Sequence, residues 1–207
     1  RVVILSESRP EWCLCDIAIM SLGAISVPVY TTNTIADHLH ILVNSGAKGA
    51  FLATNKLAIN FLPAAHKSDV LQFIIATEGP TLSQKLNVDI HLWQEVVEKK
   101  APDLKPLIER AAKIKFEDTS CIIYTSGTGG APKGVMLHHG AILHNCEGAK
   151  DVVLELGLKN DRFLSFLPLS HAYEHSAGQF LPIYIGAEIY YAESMDQLAN
   201  NLIEARP

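Results

Sequence analysis

Short apolar runs alternate with longer helical patterns along most of this chain, and the alternation restricts the fold more than any other feature. The first apolar runs of strand length occupy residues 1–5, 25–30, 50–53 and 73–76. The segments between them are long enough for helices, and strands separated by helices are typical of a parallel sheet. We therefore predict an α/β fold in which layered, mostly parallel sheets are flanked by helices.

Two helices in this first part have recognisable boundary residues. Ser8 and Glu11 have the spacing of a capping box, which predicts a helix that stops at Gly23. Thr34 and Asp37 have the same spacing and predict a second helix, which also ends at a glycine.

The remaining chain continues the alternation after a polar interval. Residues 78–118 contain three prolines and predict a surface excursion with one or two helices. Beyond it we predict strands at 121–124, 135–137, 163–167 and 189–191, and helices at 141–156 and 195–205.

Composition and charge exclude several classes of protein. Hydrophobic residues make up 48% and charged residues 19%, which indicates a folded globular protein. The formal net charge is -5 at pH 7, and no run of lysine and arginine predicts nucleic-acid binding. The longest apolar run, residues 17–29, is too short and too interrupted to span a bilayer.

The four cysteines contain no C-x-x-C pair, so we expect reduced, mostly buried thiols in a cytoplasmic protein. No secretory signal is visible. Peripheral association with the inner face of a membrane through a surface patch stays open.

A glycine-rich segment at residues 124–134 is the strongest functional signal. Its four glycines allow backbone amides to approach a ligand closely, and consecutive inward amides form an anion site. Ser126 and Thr128 add hydroxyl donors, and Lys133 adds a positive charge. This combination predicts a binding site for a polyphosphate.

Two other interpretations of this segment are weaker. A flexible hairpin loop does not require the threonines or the Pro-Lys-Gly ending. A Walker A loop requires a glycine before the lysine and a hydroxyl residue after it, but Pro132 and Gly134 occupy those positions. The next element also has a strand pattern, so we reject an ordinary P-loop NTPase.

The segment is similar to the phosphate loop of the acyl-adenylate-forming, AMP-binding enzyme superfamily. The usual form of that loop is Tyr-Thr-Ser-Gly-Thr-Thr-Gly, any residue, then Pro-Lys-Gly-Val. This chain departs from it at Gly129, which replaces a threonine and removes one hydroxyl. The resemblance implies that the phosphate-binding residues are Thr125, Ser126, Gly127, Thr128, Gly129, Gly130 and Lys133. It also implies that Thr128 contacts Mg²⁺ and that Lys133 acts in catalysis.

Residues 167–175 form a second motif, Leu-Pro-Leu-Ser-His-Ala-Tyr-Glu-His. It resembles the Leu-Pro-Leu-x-His-x-x-Glu pattern of long-chain acyl-CoA synthetases. That resemblance implies a catalytic His171 near the α-phosphate and the carboxylate, where a donor stabilises developing charge. A capping or buried histidine is the rival interpretation, and for Glu174 we expect a structural role.

The same residues also fit the His-x-x-Glu-His pattern of inverted zinc peptidases. In that alternative, His171 and His175 bind zinc and Glu174 is the general base. It leaves the glycine-rich segment without a function.

The resemblance covers nearly all of the chain. It implies that residues 1–207 are the N-terminal portion of a large adenylation domain, a partial AMP-binding domain. By the same resemblance, we expect the C-terminal part of that domain and the small lid domain to be absent from these residues. The chain begins within a strand pattern, so we expect a piece of a longer protein. It contains no Tyr-Gly-x-Thr-Glu segment, whose glutamate the resemblance implies as the other magnesium contact, so we expect this piece to be inactive alone.

The implied activity is that of an AMP-forming fatty acid–CoA ligase, an acid–thiol ligase. Its substrates are ATP, CoA and a fatty acid that we expect to be long-chain, and it requires Mg²⁺. A homodimer of the longer protein stays open. The alternatives are the zinc peptidase and a nucleotide-binding module without catalytic activity.

Overall fold

A computed structural model describes residues 1–80, 86–99, 103–125, 130–155 and 162–207 of the protein. Within them, the main sheet consists of β1 (Val2–Leu5), β2 (Ser26–Pro28), β3 (Gly49–Leu52), β4 (Phe73–Ala76), β5 (Asp89–Leu92), β6 (Thr119–Thr125) and β7 (Lys133–His138). The strand order is β5-β4-β3-β1-β2-β6-β7. Neighbouring strands are parallel except for β6 and β7, which are antiparallel. A separate parallel pair is formed by β8 (Arg162–Ser165) and β9 (Glu188–Tyr191).

The described helices are α1 (Pro10–Ser21), α2 (Ile35–Ser45), α3 (Asn55–His66), α4 (Trp93–Glu98), α5 (Lys105–Ala111), α6 (His139–Glu155), α7 (Ala172–Glu174), α8 (Leu181–Ile185) and α9 (Leu198–Ala205). A π-helix, His175–Phe180, connects α7 to α8. The predicted α/β fold with a mostly parallel sheet is therefore confirmed.

Strand β6 shows how the main sheet is covered on both faces. Its side chains alternate, as successive residues of a strand point to opposite faces. Ile122 and Tyr124 pack into the main core, on the face that α2 covers. Cys121 and Ile123 pack into a second apolar cluster with Ile142 of α6. Both faces of the strand are buried, which explains its continuous apolar sequence.

The predicted cap of α2 is confirmed. The Thr34 hydroxyl accepts from the Asp37 amide at 3.3 Å, and the Asp37 carboxylate accepts from the Thr34 amide at 2.9 Å. The helix ends at Gly46, whose φ of 63° lies in the left-handed region that glycine adopts without strain.

The predicted capping box of α1 is wrong. Arg9 is the N-cap residue and makes no side-chain cap. The Ser8 hydroxyl instead donates to the Leu167 carbonyl at 3.1 Å and accepts from the Leu169 amide at 3.2 Å. The backbone groups of Leu167 and Leu169 need hydrogen-bond partners, and the Ser8 hydroxyl bonds to them instead of capping α1.

Strand β5 is an element that the sequence analysis missed. It lies at the edge of the sheet, and its residues alternate between exposed and partly buried. An edge strand of this kind has a mixed polar and apolar sequence, and the sequence analysis therefore included it in the surface excursion predicted for residues 78–118. The helices expected in that excursion are α4 and α5.

The cysteines are free, as predicted. Cys15, Cys121 and Cys146 are buried, and Cys13 is partly exposed. Among the described residues, no helix has the length and apolar character needed to cross a membrane.

Candidate functional site

A cleft of about 420 Å³ lies at the carboxyl ends of β2 and β6. It is lined by Val29, Tyr30, Asn33, Asp37, Ile41, Tyr124, Thr125, Pro132 and His171. In open parallel sheets, ligands bind beyond the carboxyl ends of the strands. Thr125 and His171, predicted from separate motifs, contribute to the same cleft although 46 residues (171 minus 125) separate them in sequence.

The glycine-rich segment joins β6 to β7 beside this cleft. Thr125, the last residue of β6, pairs in register with Lys133, the first residue of β7. Lys133 and Gly130 are both exposed, and Gly130 has a φ of 116° that strongly favours glycine. The other predicted phosphate-binding residues, Ser126, Gly127, Thr128 and Gly129, lie outside the described residues.

Helix α2 is bonded to both sides of this segment. The His40 ring nitrogen Nε2 lies 2.9 Å from the Pro132 carbonyl oxygen. A carbonyl only accepts, so the ring donates from Nε2. The Tyr124 hydroxyl donates to the Asn44 side-chain oxygen at 2.6 Å. Burial raises the pKa of Tyr124, which keeps this hydroxyl protonated as a donor.

Sequence reasoning missed His40 and Asn44. They lie four residues apart and therefore face the same side of α2. That spacing is visible in the sequence, but it does not indicate which neighbour the two side chains meet. The contact depends on where α2 crosses the sheet, which is a property of the fold.

His171 lies at the N-terminus of α7, with an exposed side chain. Its ring nitrogen Nδ1 accepts a hydrogen bond from the Tyr173 amide at 3.2 Å. An accepting Nδ1 has no proton, so the neutral ring carries its proton on Nε2. His171 therefore caps a helix, as the rival interpretation expected, and it also lines the cleft. Its catalytic role stays a prediction.

The last two residues of the motif, Glu174 and His175, are buried in the protein interior. Glu174 is buried, and its carboxylate accepts from the Ser165 hydroxyl at 2.6 Å. His175 is fully buried, and its Nε2 lies 2.8 Å from the carboxylate of Asp16. The structural role expected for Glu174 agrees with this position.

This arrangement does not favour the zinc peptidase. His171 faces the cleft, whereas His175 is held in the core by Asp16 and by the Cys121 sulfur at 3.9 Å. The described part of the chain contains no group of three or more His, Cys, Asp or Glu side chains that could hold a metal. A shared zinc ion would require His175 to leave its buried partners.

Comparison with known sequences gives consistent matches. A family described as AMP-binding enzyme matches residues 1–206. The long-chain-fatty-acid–CoA ligase FadD15 of Mycobacterium tuberculosis is 34% identical over 173 residues, covering 83% of this chain and 27% of that protein. The long-chain-fatty-acid–CoA ligase ACSBG2 of Gallus gallus is 31% identical over 216 residues, covering 100% of this chain and 28% of that protein. The chain thus spans little more than a quarter of these relatives.

Solved structures share the fold at lower identity. The luciferase-like enzyme of the nonluminescent mealworm Zophobas morio superposes with a TM-score of 0.80 at 18% identity, over 99% of this chain and 45% of that chain. The o-succinylbenzoate coenzyme A synthetase of Bacillus subtilis, in complex with ATP and magnesium, gives 0.70 at 20% identity, over 99% and 37%. The arrangement of strands and helices described above is therefore shared with these enzymes.

Proposed function

The chain belongs to the AMP-binding enzyme family, and from that premise we propose that it is the phosphate-binding part of a long-chain fatty acid–CoA ligase. The observation that carries the proposal is the single cleft in which Thr125, Pro132 and His171 meet. Residues of two motifs that are far apart in the sequence line this cleft together with residues between Val29 and Ile41. The names of the relatives support a long-chain fatty acid as substrate.

The proposed reaction has two steps. A carboxylate oxygen of the fatty acid attacks the α-phosphorus of ATP, the bond to the bridging oxygen breaks, and pyrophosphate leaves. The thiolate of CoA then attacks the acyl carbon of the acyl-adenylate, and AMP leaves. The first step gathers negative charge at the phosphates, where positioning and charge stabilisation supply most of the catalysis.

The described residues can supply two parts of that stabilisation. Lys133 is exposed beside the cleft and has a cationic side chain for the departing pyrophosphate. His171 presents an Nε2–H donor, which we assign to an oxygen near the α-phosphate. The backbone amides of residues 126–130 complete the proposed phosphate site.

Magnesium fits this proposal as a companion of ATP. Mg²⁺ prefers oxygen ligands and is usually held by few protein groups together with substrate phosphates. The described residues offer no cluster of carboxylates for a resident ion, which agrees with that mode. When bound, the ion would neutralise phosphate charge, and Thr128 is its proposed protein contact.

The test is release of AMP by the complete protein. We expect AMP release that requires both ATP and a long-chain fatty acid and that increases when CoA is added. Trapping with hydroxylamine should give the acyl hydroxamate in the absence of CoA. A panel of acids of increasing length then identifies the preferred substrate.

Two results would contradict the proposal. ATP binding without AMP release, whichever acid is supplied, would indicate the non-catalytic nucleotide-binding module. Stoichiometric zinc with peptide hydrolysis would instead indicate the peptidase.

A further inference from the structure

Between α1, β6 and the π-helix lies a polar cluster that we name the buried cluster. It consists of Asp16 of α1, Cys121 of β6, and His175 and Gln179 of the π-helix, and each residue is fully buried. Burial of several polar groups in one place is costly unless they are paired. The proposed chemistry gives these four side chains no direct role.

The four side chains pair with one another in part, since Asp16 Oδ1 and Gln179 Oε1 are buried and have no hydrogen-bond partner among the described residues. One carboxylate oxygen of Asp16 accepts from His175 Nε2 at 2.8 Å and from Gln179 Nε2 at 2.8 Å. His175 Nδ1 faces the Cys121 sulfur at 3.9 Å. The cluster therefore joins three elements through one imidazole ring.

The cluster is also an ion pair. Burial alone lowers the pKa of His175, but the hydrogen bond and charge of Asp16, together with the contact with Cys121, outweigh burial and raise it to about 9. At neutral pH a protonated His175 thus compensates the carboxylate of Asp16. Removing one partner of such a pair leaves an uncompensated buried charge, which is strongly destabilising.

Two elements of the cluster lead directly to the cleft. The His175 amide donates to the His171 carbonyl at 2.9 Å, so the buried ring and the cleft residue lie one helical turn apart. Cys121 lies on the same strand as Thr125, which ends β6 at the cleft. The π-helix brings His175 and Gln179 together on Asp16, and π-helical turns occur frequently at functional sites.

We propose that the buried cluster positions His171 relative to Thr125 across the cleft, so that Asp16, His175 and Gln179 are positioning residues for adenylate formation. This inference rests on the proposed function. His175 lies in the first turn after His171, and its contact with Cys121 holds that turn against β6. The hydrogen bonds of Asp16 to His175 and Gln179 hold the same turn against α1. None of these side chains reaches the cleft itself.

The test compares three variants of the complete protein, His175→Gln, Asp16→Asn and the double variant. Glutamine keeps an N–H donor near the position of Nε2 but removes the positive charge, which leaves Asp16 without its cation. The double variant removes both charges and keeps a donor and an acceptor. His66→Gln, at an exposed histidine of α3, is the matched control.

The first readout is acid-dependent exchange of pyrophosphate into ATP, expressed per folded enzyme. For His175→Gln we expect kcat to fall about tenfold or more, with KM for ATP within about threefold, because the phosphate-binding segment is unchanged. The double variant should recover kcat to within about threefold of the wild type, because no charge is left unpaired. An unchanged kcat per folded His175→Gln enzyme, or no recovery in the double variant, would overturn the inference.

The second readout does not depend on activity. Hydrogen exchange of the peptide that contains His171–Phe180 should be faster in His175→Gln than in the wild type and the His66→Gln control. Equal protection would overturn the positioning role even for an active enzyme. If the wild type catalyses no exchange of pyrophosphate into ATP with any acid, the proposed function is contradicted. Hydrogen exchange of the His171–Phe180 peptide would still decide whether the buried cluster positions His171.

Discussion

The hydrogen bond at Nδ1 sets the tautomer of the neutral His171 ring, and the predicted role of the residue depends on that tautomer. Its Nδ1 accepts from the Tyr173 amide, so only Nε2 can donate into the cleft. Loss of one donor that stabilises developing charge lowers kcat by roughly 10²–10³ in a well-studied hydrolase.

We therefore expect His171→Leu to slow formation of the acyl-adenylate about 10²-fold, whereas His171→Gln, which keeps an N–H at the end of the side chain, should lose less. Single-turnover kinetics of the complete protein measure both rates. Equal losses in the two variants would contradict a donor role for His171.

The ion pair of the buried cluster makes a second prediction at this scale. His175 has a folded-state pKa of about 9, above the value near 6.5 expected for an unfolded histidine. A raised pKa adds stability that is fully present below about pH 6.5 and is lost as the pH rises through about 9. The contribution is on the order of 3 kcal/mol.

The measurement is the thermal unfolding midpoint of the complete protein from about pH 6 to 10. The polar groups that contact His175 are Asp16 and Cys121, and the rings of Trp12 and Phe180 pack edge-on against it. The variant with both Asp16→Asn and His175→Gln removes the titrating pair. The wild type should lose stability relative to this variant across the window. A constant difference would show that His175 does not titrate there.

Motifs in the sequence identified Thr125 and His171, because each belongs to a continuous pattern. The roles assigned to these two residues, and to Lys133, stay predictions. The same reasoning could not find Asp16, which lies in an apolar helix and meets His175 only because the chain folds. Ser8 illustrates the converse, since its local pattern predicted a cap and a long-range contact prevailed.

At the scale of elements, α2 connects the first part of the chain to the glycine-rich segment. Its cap was predictable because Thr34 and Asp37 act within a single turn. Its contacts through His40 and Asn44 were not, because they depend on packing against Tyr124 and Pro132. Strand β5 was missed for a related reason, since an edge position permits a polar sequence.

The contacts of α2 predict an effect on nucleotide affinity. His40→Leu and Asn44→Leu each remove one hydrogen bond from the base of the segment, and such a bond contributes about 1 kcal/mol. We expect KM for ATP to rise about fivefold in each variant, with kcat changed less. Val43→Ala, at an exposed position of the same helix, is the control.

A double-mutant cycle tests whether the Asn44 effect comes from Tyr124. Tyr124→Phe removes the same hydrogen bond from its other side. The variant with both Asn44→Leu and Tyr124→Phe should therefore lose little more affinity than either single variant. Additive losses would contradict a shared contact.

For the whole molecule, the sequence alone predicted the α/β architecture, because strand and helix patterns alternate regularly. It also predicted the family, because the glycine-rich segment is long and specific. The activity of the complete protein is a larger question, since this chain spans 27% and 28% of the two relatives compared.

We expect a polypeptide of residues 1–207 to form no acyl-adenylate. These residues lack the Tyr-Gly-x-Thr-Glu segment that the family uses in the same reaction. Hydroxamate trapping with ATP and a long-chain acid tests this expectation, with the complete protein as positive control. Measurable hydroxamate from residues 1–207 would contradict it.

The most direct test of the proposed site is exchange of labelled pyrophosphate into ATP by the complete protein and its Lys133→Ala variant. The wild type should exchange only when a fatty acid is present, and the variant should be slower by about 10²–10³-fold. Exchange at an equal rate in both proteins, or no exchange with any acid, would contradict phosphate binding and acid activation at this cleft.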